Sequence, residues 1–170
     1  MSVSLQMLNA ADHEAFITTL GHLFEHSPWV AEETWAKRPF ASVEALHAAL
    51  CAAMRAAPAD RQLALIRAHP DLAGRLARQK QLTAESTREQ ASAGLDQLTD
   101  AELAEFARNN DTYKAKFGFP FIICARLNAK ASILEAMTAR LPNPPAMEFA
   151  TALAEIEKIA WLRLSDFVKN

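Results

Sequence analysis

The chain has 170 residues, of which 51% are hydrophobic and 22% charged, as in a globular protein with a substantial core. Its 18 Lys and Arg residues nearly balance its 20 Asp and Glu residues, and this net charge of −2 argues against nucleic acid or an anionic membrane surface as a main partner. Its apolar stretches are too short to span a membrane, and its four glycines and lack of long β-branched runs favour helices. We therefore predict an all-α fold, a single-domain helical bundle of about eight to nine helices over residues 1–170.

The two cysteines and the two chain ends bear on where in the cell the protein is located. Cys51 and Cys124 lie far apart and match no spacing typical of metal or redox sites, so we predict buried thiols in a reducing environment. The N-terminus lacks a basic region followed by an apolar one, which argues against a secretory signal. The C-terminal residues do not form the Ser-Lys-Leu address of peroxisomal proteins. These features predict a cytoplasmic protein.

The first predicted helix is capped by Asn9 or Asp12 and ends at Ser27-Pro28, because a proline disfavours helical backbone before it. His22 and His26 stand four residues apart on this helix, which is the spacing of many zinc sites. A zinc site also needs a third ligand and an oriented second shell, and the order of residues here differs from that of the HExxH motif. A solvated helix face is therefore the favoured interpretation of the two histidines.

Three further helices are predicted before residue 69. The first covers residues 29–37, and the third opens at residues 58–60 and runs into His69. The second is capped by Ser42 and has an apolar stripe of Leu46, Leu50 and Met54.

The six residues His69-Pro70-Asp71-Leu72-Ala73-Gly74 break this helical pattern abruptly. A residue before proline is disfavoured in the α region, so His69 is predicted to lie in a stiff, extended junction. An imidazole held there is pre-oriented, and its usual pKa of about 6.5 suits proton transfer at neutral pH. The alternative is a solvent-facing histidine at an ordinary helix corner. Asp71 is predicted to cap a helix that begins at Leu72.

Ser86, Glu89 and Gln90 are predicted to share one face of the next helix, because residues three and four apart are neighbours on a helix surface. Thr83 is the predicted N-cap of that helix. The shared face could present a hydroxyl, a carboxylate and an amide to one small polar ligand. The alternative is that Ser86 and Glu89 form a capping box, in which the carboxylate satisfies backbone donors at a helix start.

Two features are predicted along the following helix. Thr99 and Glu102 form a capping-box pattern at its start. Residues 109–112, of sequence Asn-Asn-Asp-Thr, favour local bonds between side chain and backbone, so we predict a kink or turn there.

The stretch FGFPFII at 117–123 predicts a helix end followed by a helix start. Gly118 suits the left-handed position that ends a helix, and Pro120 suits the first position of the next one. The N–H groups of residues 121–123 would then be unpaired donors in apolar surroundings, which is a site for an anion or a carbonyl oxygen. The alternative is a packed corner filled by aromatic rings.

Arg163 lies beside the apolar stripe of the last predicted helix, which follows a Pro/Asn segment at 142–145. An arginine in this place usually extends its charged end to water. The alternative is a guanidinium directed at a carboxylate, for which its planar fork is well shaped.

Several motifs, spread along essentially the whole chain, resemble those of one protein family. They are Ser27-Pro28-Trp29, HPDLAG at 69–74, the stretch 83–95 with Glu89-Gln90, Asn110 and Tyr113 before KFGFPFI at 116–122, and Glu155, Lys158, Ile159 and Arg163. In this order and spacing they are specific, and the chain resembles the 2-oxo-4-hydroxy-4-carboxy-5-ureidoimidazoline (OHCU) decarboxylase family of urate degradation.

The resemblance implies an all-helical, cofactor-free, homodimeric enzyme that removes carbon dioxide from OHCU and releases (S)-allantoin. His69 would be the catalytic acid/base, with Glu89 and Arg163 beside it, and no metal is implied. The residues that would hold the ring and the ureido group are Pro70, Ser86, Gln90, Phe119, Phe121, Ile122 and Ile123.

Two other functions stay open on the sequence alone. One is a non-catalytic all-α interaction module that grips a partner segment with its aromatic corner. The other is a metal-dependent hydrolase built on His22 and His26.

Overall fold

The computed structural model describes residues 2–169, and the side chains of all of these except residues 76 and 78. Within this range the α-helices are α1 (Leu5–Ala10), α2 (His13–Leu20), α3 (Trp29–Trp35), α4 (Val43–Ala56), α5 (Ala59–Ala68), α6 (Arg75–Arg78), α7 (Ala84–Ser92), α8 (Asp100–Phe117), α9 (Lys130–Arg140) and α10 (Pro145–Phe167). A 3₁₀ helix covers Ala125–Leu127. The two-residue strands β1 (Val3–Ser4) and β2 (Val168–Lys169) pair in parallel. Residues 2–169 thus form ten α-helices, of which α1 and α6 are short, at six and four residues. The predicted all-α bundle of about eight to nine helices is confirmed.

The described chain divides into two compact units. The first comprises residues 2–68 and 157–169, and the second comprises residues 69–156, so α10 contributes to both. Fully buried apolar side chains form the core of the first unit, among them Phe16, Leu20, Leu46, Leu50, Met54, Ile66 and Leu164. Those of the second unit include Phe106, Tyr113, Phe121, Ile133 and Ala152.

Four helices begin directly after a residue that the sequence predicts as an N-cap. In each case the oxygen of the cap accepts a hydrogen bond of 2.8 to 3.2 Å from the N–H group three residues later. The four caps are Asp12, Ser42, Thr83 and Thr99. Thr99 and Glu102 also complete the predicted capping box.

Helix α2 ends at Leu20, so the prediction that it continues to Ser27-Pro28 is wrong. Turns replace the helix after that point, and His26 adopts a left-handed φ of 46°. The carbonyl groups of His22 and Leu23, which a continuing helix would use for its own ladder, instead accept hydrogen bonds from Arg163 Nη1 at 3.4 and 3.3 Å. A tertiary partner therefore outweighs the helical pattern here.

Asp71 is not a helix cap, contrary to the prediction. Helix α6 begins only at Arg75, with Gly74 as its N-cap, because Ala73 has a left-handed φ of 51° that no helix tolerates. The carboxylate of Asp71 pairs instead with Lys114 Nζ at 2.5 Å.

Helix α8 runs without interruption through residues 109–112, so the predicted kink is wrong. The side chains there bond in ways that leave the helix intact. Thr112 Oγ1 donates to the Arg108 carbonyl one turn back at 2.8 Å, and Asn110 Nδ2 donates to the Leu72 carbonyl at 2.9 Å. Gly118 then ends the helix at the predicted left-handed φ, here 75°.

Pro120 does not begin a helix, which corrects the prediction of a helix start at residues 120–123. Residues 119–124 form an irregular segment, and regular structure resumes with the 3₁₀ helix. Side chains satisfy backbone groups that a helix would have used. Arg140 Nη1 donates to the Ile122 carbonyl at 2.8 Å, and the Cys124 N–H group donates to Glu155 Oε2 at 2.8 Å.

No helix among residues 2–169 is both long and apolar enough to cross a membrane. Both cysteines carry free thiols. Cys124 is buried as predicted, whereas Cys51 is only partly buried.

Candidate active site

His69 lies outside helical structure, directly after the last residue of α5. This is the position predicted from the proline that follows it. His69 is 8% exposed, so the alternative of a solvent-facing histidine is wrong. An imidazole removed from water can keep one orientation, as a proton donor for a chemical step must.

The loop that follows His69 is fastened to helix α7 by Gln90. Gln90 Oε1 accepts a 2.9 Å hydrogen bond from the Ala73 N–H group, and Gln90 Nε2 donates to the Asp71 carbonyl at 3.4 Å. Gln90 is buried, so these bonds are made away from solvent, where they count for most. The two predicted site segments, residues 69–74 and α7, are therefore joined directly.

Helix α8 holds the same loop from a second side through Asn110 and Lys114. Asn110 Nδ2 donates to the Leu72 carbonyl, and Lys114 pairs with the Asp71 carboxylate. Sequence reasoning missed both contacts and interpreted Asn110 as part of a break. A signal was available, since Asn110 lies four residues after Phe106 and three before Tyr113, inside the buried stripe of α8.

Ser86, Glu89 and Gln90 lie within α7 and share one face of it, as predicted. The helix begins at Ala84 with Thr83 as its cap, so the alternative that Ser86 and Glu89 form a capping box at a helix start is wrong. Ser86 is buried and Glu89 is partly buried. The face thus holds a hydroxyl, a carboxylate and an amide on the helix to which the His69 loop is attached.

The segment 119–124 contributes aromatic and aliphatic side chains from an irregular backbone. Phe119, Phe121 and Ile122 are buried, and Ile123 is partly buried. Burial raises the pKa of the Cys124 thiol, and the negative charges of Glu155 and Glu89 raise it further. Helix α7, which carries Glu89, contacts the 3₁₀ helix Ala125–Leu127 that directly follows the segment.

Arg163 lies in the first unit, whereas the other predicted site residues lie in the second. Its side chain is 3% exposed, so the expectation that it extends to water is wrong. Arg163 Nη2 lies 3.1 Å from Oε2 of Glu25, which is equally buried. The alternative of a guanidinium directed at a carboxylate is confirmed, and in this structure the carboxylate is that of Glu25.

The two histidines considered as zinc ligands do not form a metal site. His22 and His26 are exposed and lie in turns, so they lack the helical spacing that suggested zinc. Among the described residues, no three His, Cys, Asp or Glu side chains are grouped in a way that could hold a metal ion.

Comparison with known proteins identifies the family. The sequence model of the OHCU decarboxylase family matches residues 9–165. The 2-oxo-4-hydroxy-4-carboxy-5-ureidoimidazoline decarboxylase of Halalkalicoccus jeotgali is 43% identical over 164 residues, which cover 96% of this chain and 91% of that protein.

Two solved structures are similar as well. A crystal structure of (S)-allantoin synthase matches with a TM-score of 0.77 and 32% identity over 98% of this chain, which spans about half, 54%, of that longer chain. A crystal structure of OHCU decarboxylase in the presence of (S)-allantoin matches with a TM-score of 0.66 and 30% identity, over 81% of this chain and 89% of that one. The chain therefore belongs to the OHCU decarboxylase family.

Proposed function

We propose that this protein decarboxylates OHCU to (S)-allantoin in urate degradation, without a cofactor. Membership of the OHCU decarboxylase family supports the reaction class and the substrate. The structural observation that carries the proposal is the buried His69 at the head of a loop held by Gln90, Asn110 and Lys114. A group fixed in this way delivers a proton from one direction, as formation of a single enantiomer requires.

The reaction breaks the bond between ring carbon 4 and its carboxyl group. The electron pair left by carbon dioxide forms a double bond to carbon 5, while the C=N bond of carbon 5 opens and its nitrogen takes up one proton from water to become an N–H group. The ring itself is thus the electron sink, so no separate cofactor is needed for this step. The resulting enol then gains a proton at carbon 5 and loses its hydroxyl proton, which gives allantoin.

Each predicted site residue has a role in this scheme. His69 donates the proton to carbon 5 from one face, and Glu89 orients His69 or the substrate hydroxyl. Arg163, held by Glu25, positions the departing carboxylate. Pro70, Ser86, Gln90 and the stretch from Phe119 to Ile123 hold the ring and the ureido group. Because residues 119–123 are not a helix start, their contribution comes from backbone and rings and not from a helix dipole.

The proposal extends to the domain organisation, the location and the oligomeric state of the protein. Residues 1–170 act as a single OHCU decarboxylase-like domain in a cytoplasmic homodimer. The match of the family model to residues 9–165, which include parts of both units, supports the single domain. Light scattering of the purified protein tests the dimer, and a single cooperative unfolding transition tests the domain.

The experiment that tests the function generates OHCU in place from urate with the two upstream enzymes. The optical activity of the allantoin formed is then followed with and without this protein. The proposal predicts faster formation of one enantiomer, whereas uncatalysed decay gives both because solvent reaches either face. No effect on the decay would contradict the proposal and would favour the non-catalytic interaction module.

A further inference from the structure

A fully buried carboxylate lies in the second unit, at the start of α10. Glu148 is 0% exposed and accepts hydrogen bonds from three side chains. Asn143 Nδ2 donates to Oε1 at 2.8 Å, Arg140 Nε donates to Oε2 at 3.0 Å, and the Tyr113 hydroxyl donates a short bond to Oε2. Burial alone would raise the pKa of Glu148, but the bonds from Arg140, Asn143 and Tyr113 outweigh it and hold the pKa below its usual value.

The other edge of the Arg140 guanidinium reaches the segment 119–124. Arg140 Nη1 donates to the Ile122 carbonyl at 2.8 Å, and the guanidinium lies 4.3 Å from the centre of the Phe121 ring. A guanidinium is planar and rigid, so the carboxylate that fixes one edge also fixes the direction of the other. Glu148 thereby determines where the Ile122 carbonyl and the Phe121 ring are held.

Tyr113 connects the same two parts from α8. Its hydroxyl binds Glu148, while its ring packs edge-on against Phe121 at 5.2 Å and against Phe119 at 6.1 Å. These contacts matter because the segment has no helix or strand ladder of its own to fix it. Side chains of the cluster formed by Tyr113, Arg140, Asn143 and Glu148 therefore supply the order that secondary structure does not.

A role in stability alone is a weak explanation for this cluster. Replacing a buried ion pair by apolar side chains of similar size is often neutral or stabilising, so burial of the charges is not needed for a stable fold. What apolar side chains could not supply is a donor aimed at the Ile122 carbonyl. We propose that Arg140, oriented by Glu148 and Tyr113, is a positioning residue for the decarboxylation, and this inference rests on the proposed function and on the role given there to residues 119–123.

Three variants separate positioning from stability. Arg140→Met removes the donor and leaves Glu148 buried without its cation, so it should lower both stability and activity. The triple variant Tyr113→Phe/Arg140→Met/Glu148→Met replaces the charged cluster by apolar groups and should recover much of the lost stability. Arg108→Met, on the exposed face of α8, is the matched control.

The readouts are kcat and KM for OHCU, the enantiomeric purity of the allantoin, and the unfolding midpoint, all on the full chain. We expect kcat/KM to fall at least about tenfold in both Arg140→Met and the triple variant, because small displacements of a bound substrate cost this much or more. Hydrogen exchange of the amides in residues 119–124 should become faster in both. The Arg108→Met protein should match the wild type.

The inference is overturned if the triple variant regains wild-type kcat/KM together with its stability, since the cluster would then be only structural. If Arg140→Met does not fold, the Tyr113→Phe variant tests the inference by itself. It keeps the aromatic ring and removes only the hydroxyl that donates to Glu148. We expect a roughly threefold to tenfold loss of kcat/KM there, and wild-type kinetics would contradict the inference. A wild-type protein that does not accelerate OHCU decay would overturn the proposed function and, with it, this inference.

Discussion

Asn110 donates a 2.9 Å hydrogen bond to the carbonyl of Leu72, which lies 38 residues earlier in the chain. The bond joins the middle of α8 to the loop that begins at His69, and both residues are buried. A buried carbonyl that loses such a donor has no water to replace it. The position of His69 therefore depends on a helix that does not itself contribute a catalytic group.

Replacing Asn110 by Ala should destabilise the protein and impair decarboxylation. Loss of the donor leaves the Leu72 carbonyl unsatisfied, which costs about 1–3 kcal/mol of unfolding free energy in urea titrations. Activity should fall more than it does in Asn109→Ala, a matched change one residue earlier in α8. Equal kinetics in the two variants would show that the loop does not need this bond.

Replacing Glu25 by Gln should destabilise the first unit strongly. Glu25 and Arg163 are 2% and 3% exposed, and the Gln side chain would remove the negative charge that faces the buried Arg163 guanidinium. Such changes cost about 3–5 kcal/mol of unfolding free energy. Glu33→Gln is the control, because Glu33 pairs with Arg61 where both side chains are 41% exposed, and should cost less than about 1 kcal/mol. Similar losses in the two variants would contradict the prediction.

The helix caps were predictable from sequence, whereas the segments around the site were not. Asp12, Ser42, Thr83 and Thr99 act on backbone groups three residues away, so local sequence contains the whole interaction. The end of α2 depends instead on Arg163, more than a hundred residues later in the chain.

Local sequence likewise determines part of the site, whereas distant contacts determine the rest. The exit of His69 from helix follows from its neighbour Pro70, and the shared face of Ser86, Glu89 and Gln90 follows from helical geometry. Pro120 allows a helix start but does not require one. The contacts of Arg140 with Ile122 and of Glu155 with Cys124 decide that segment, and no local pattern contains them.

Cys51 should react slowly with alkylating reagents at mildly alkaline pH. Burial raises the pKa of its thiol to about 12, and the charge of Glu157 adds to the effect, while the reactive form is the thiolate. In a Cys124→Ser background, the labelling rate with iodoacetamide should still rise about tenfold per pH unit above about pH 9, where an ordinary thiol levels off. Protein unfolded in urea provides the control, and a native rate that levels off at the same pH would contradict the prediction.

The raised pKa of the Cys51 thiol also affects the stability of the protein at high pH. Above about pH 9 the unfolded chain releases the Cys51 proton while the folded chain retains it, so the folded state binds more protons. Stability should therefore fall as pH rises from about 9 towards 12, and a Cys51→Ala variant should lack this part of the decline. Urea midpoints measured across that range in wild type and variant test it, and parallel curves would contradict it.

The most direct measurement compares wild type, His69→Asn and His26→Asn in the formation of (S)-allantoin from OHCU generated in place. His26 is an exposed histidine in a turn, so its replacement controls for the loss of an imidazole. With both variants folded by circular dichroism, we predict that His69→Asn forms allantoin no faster than uncatalysed decay and that His26→Asn matches the wild type. Wild-type turnover by His69→Asn would contradict the assignment of the proton donor.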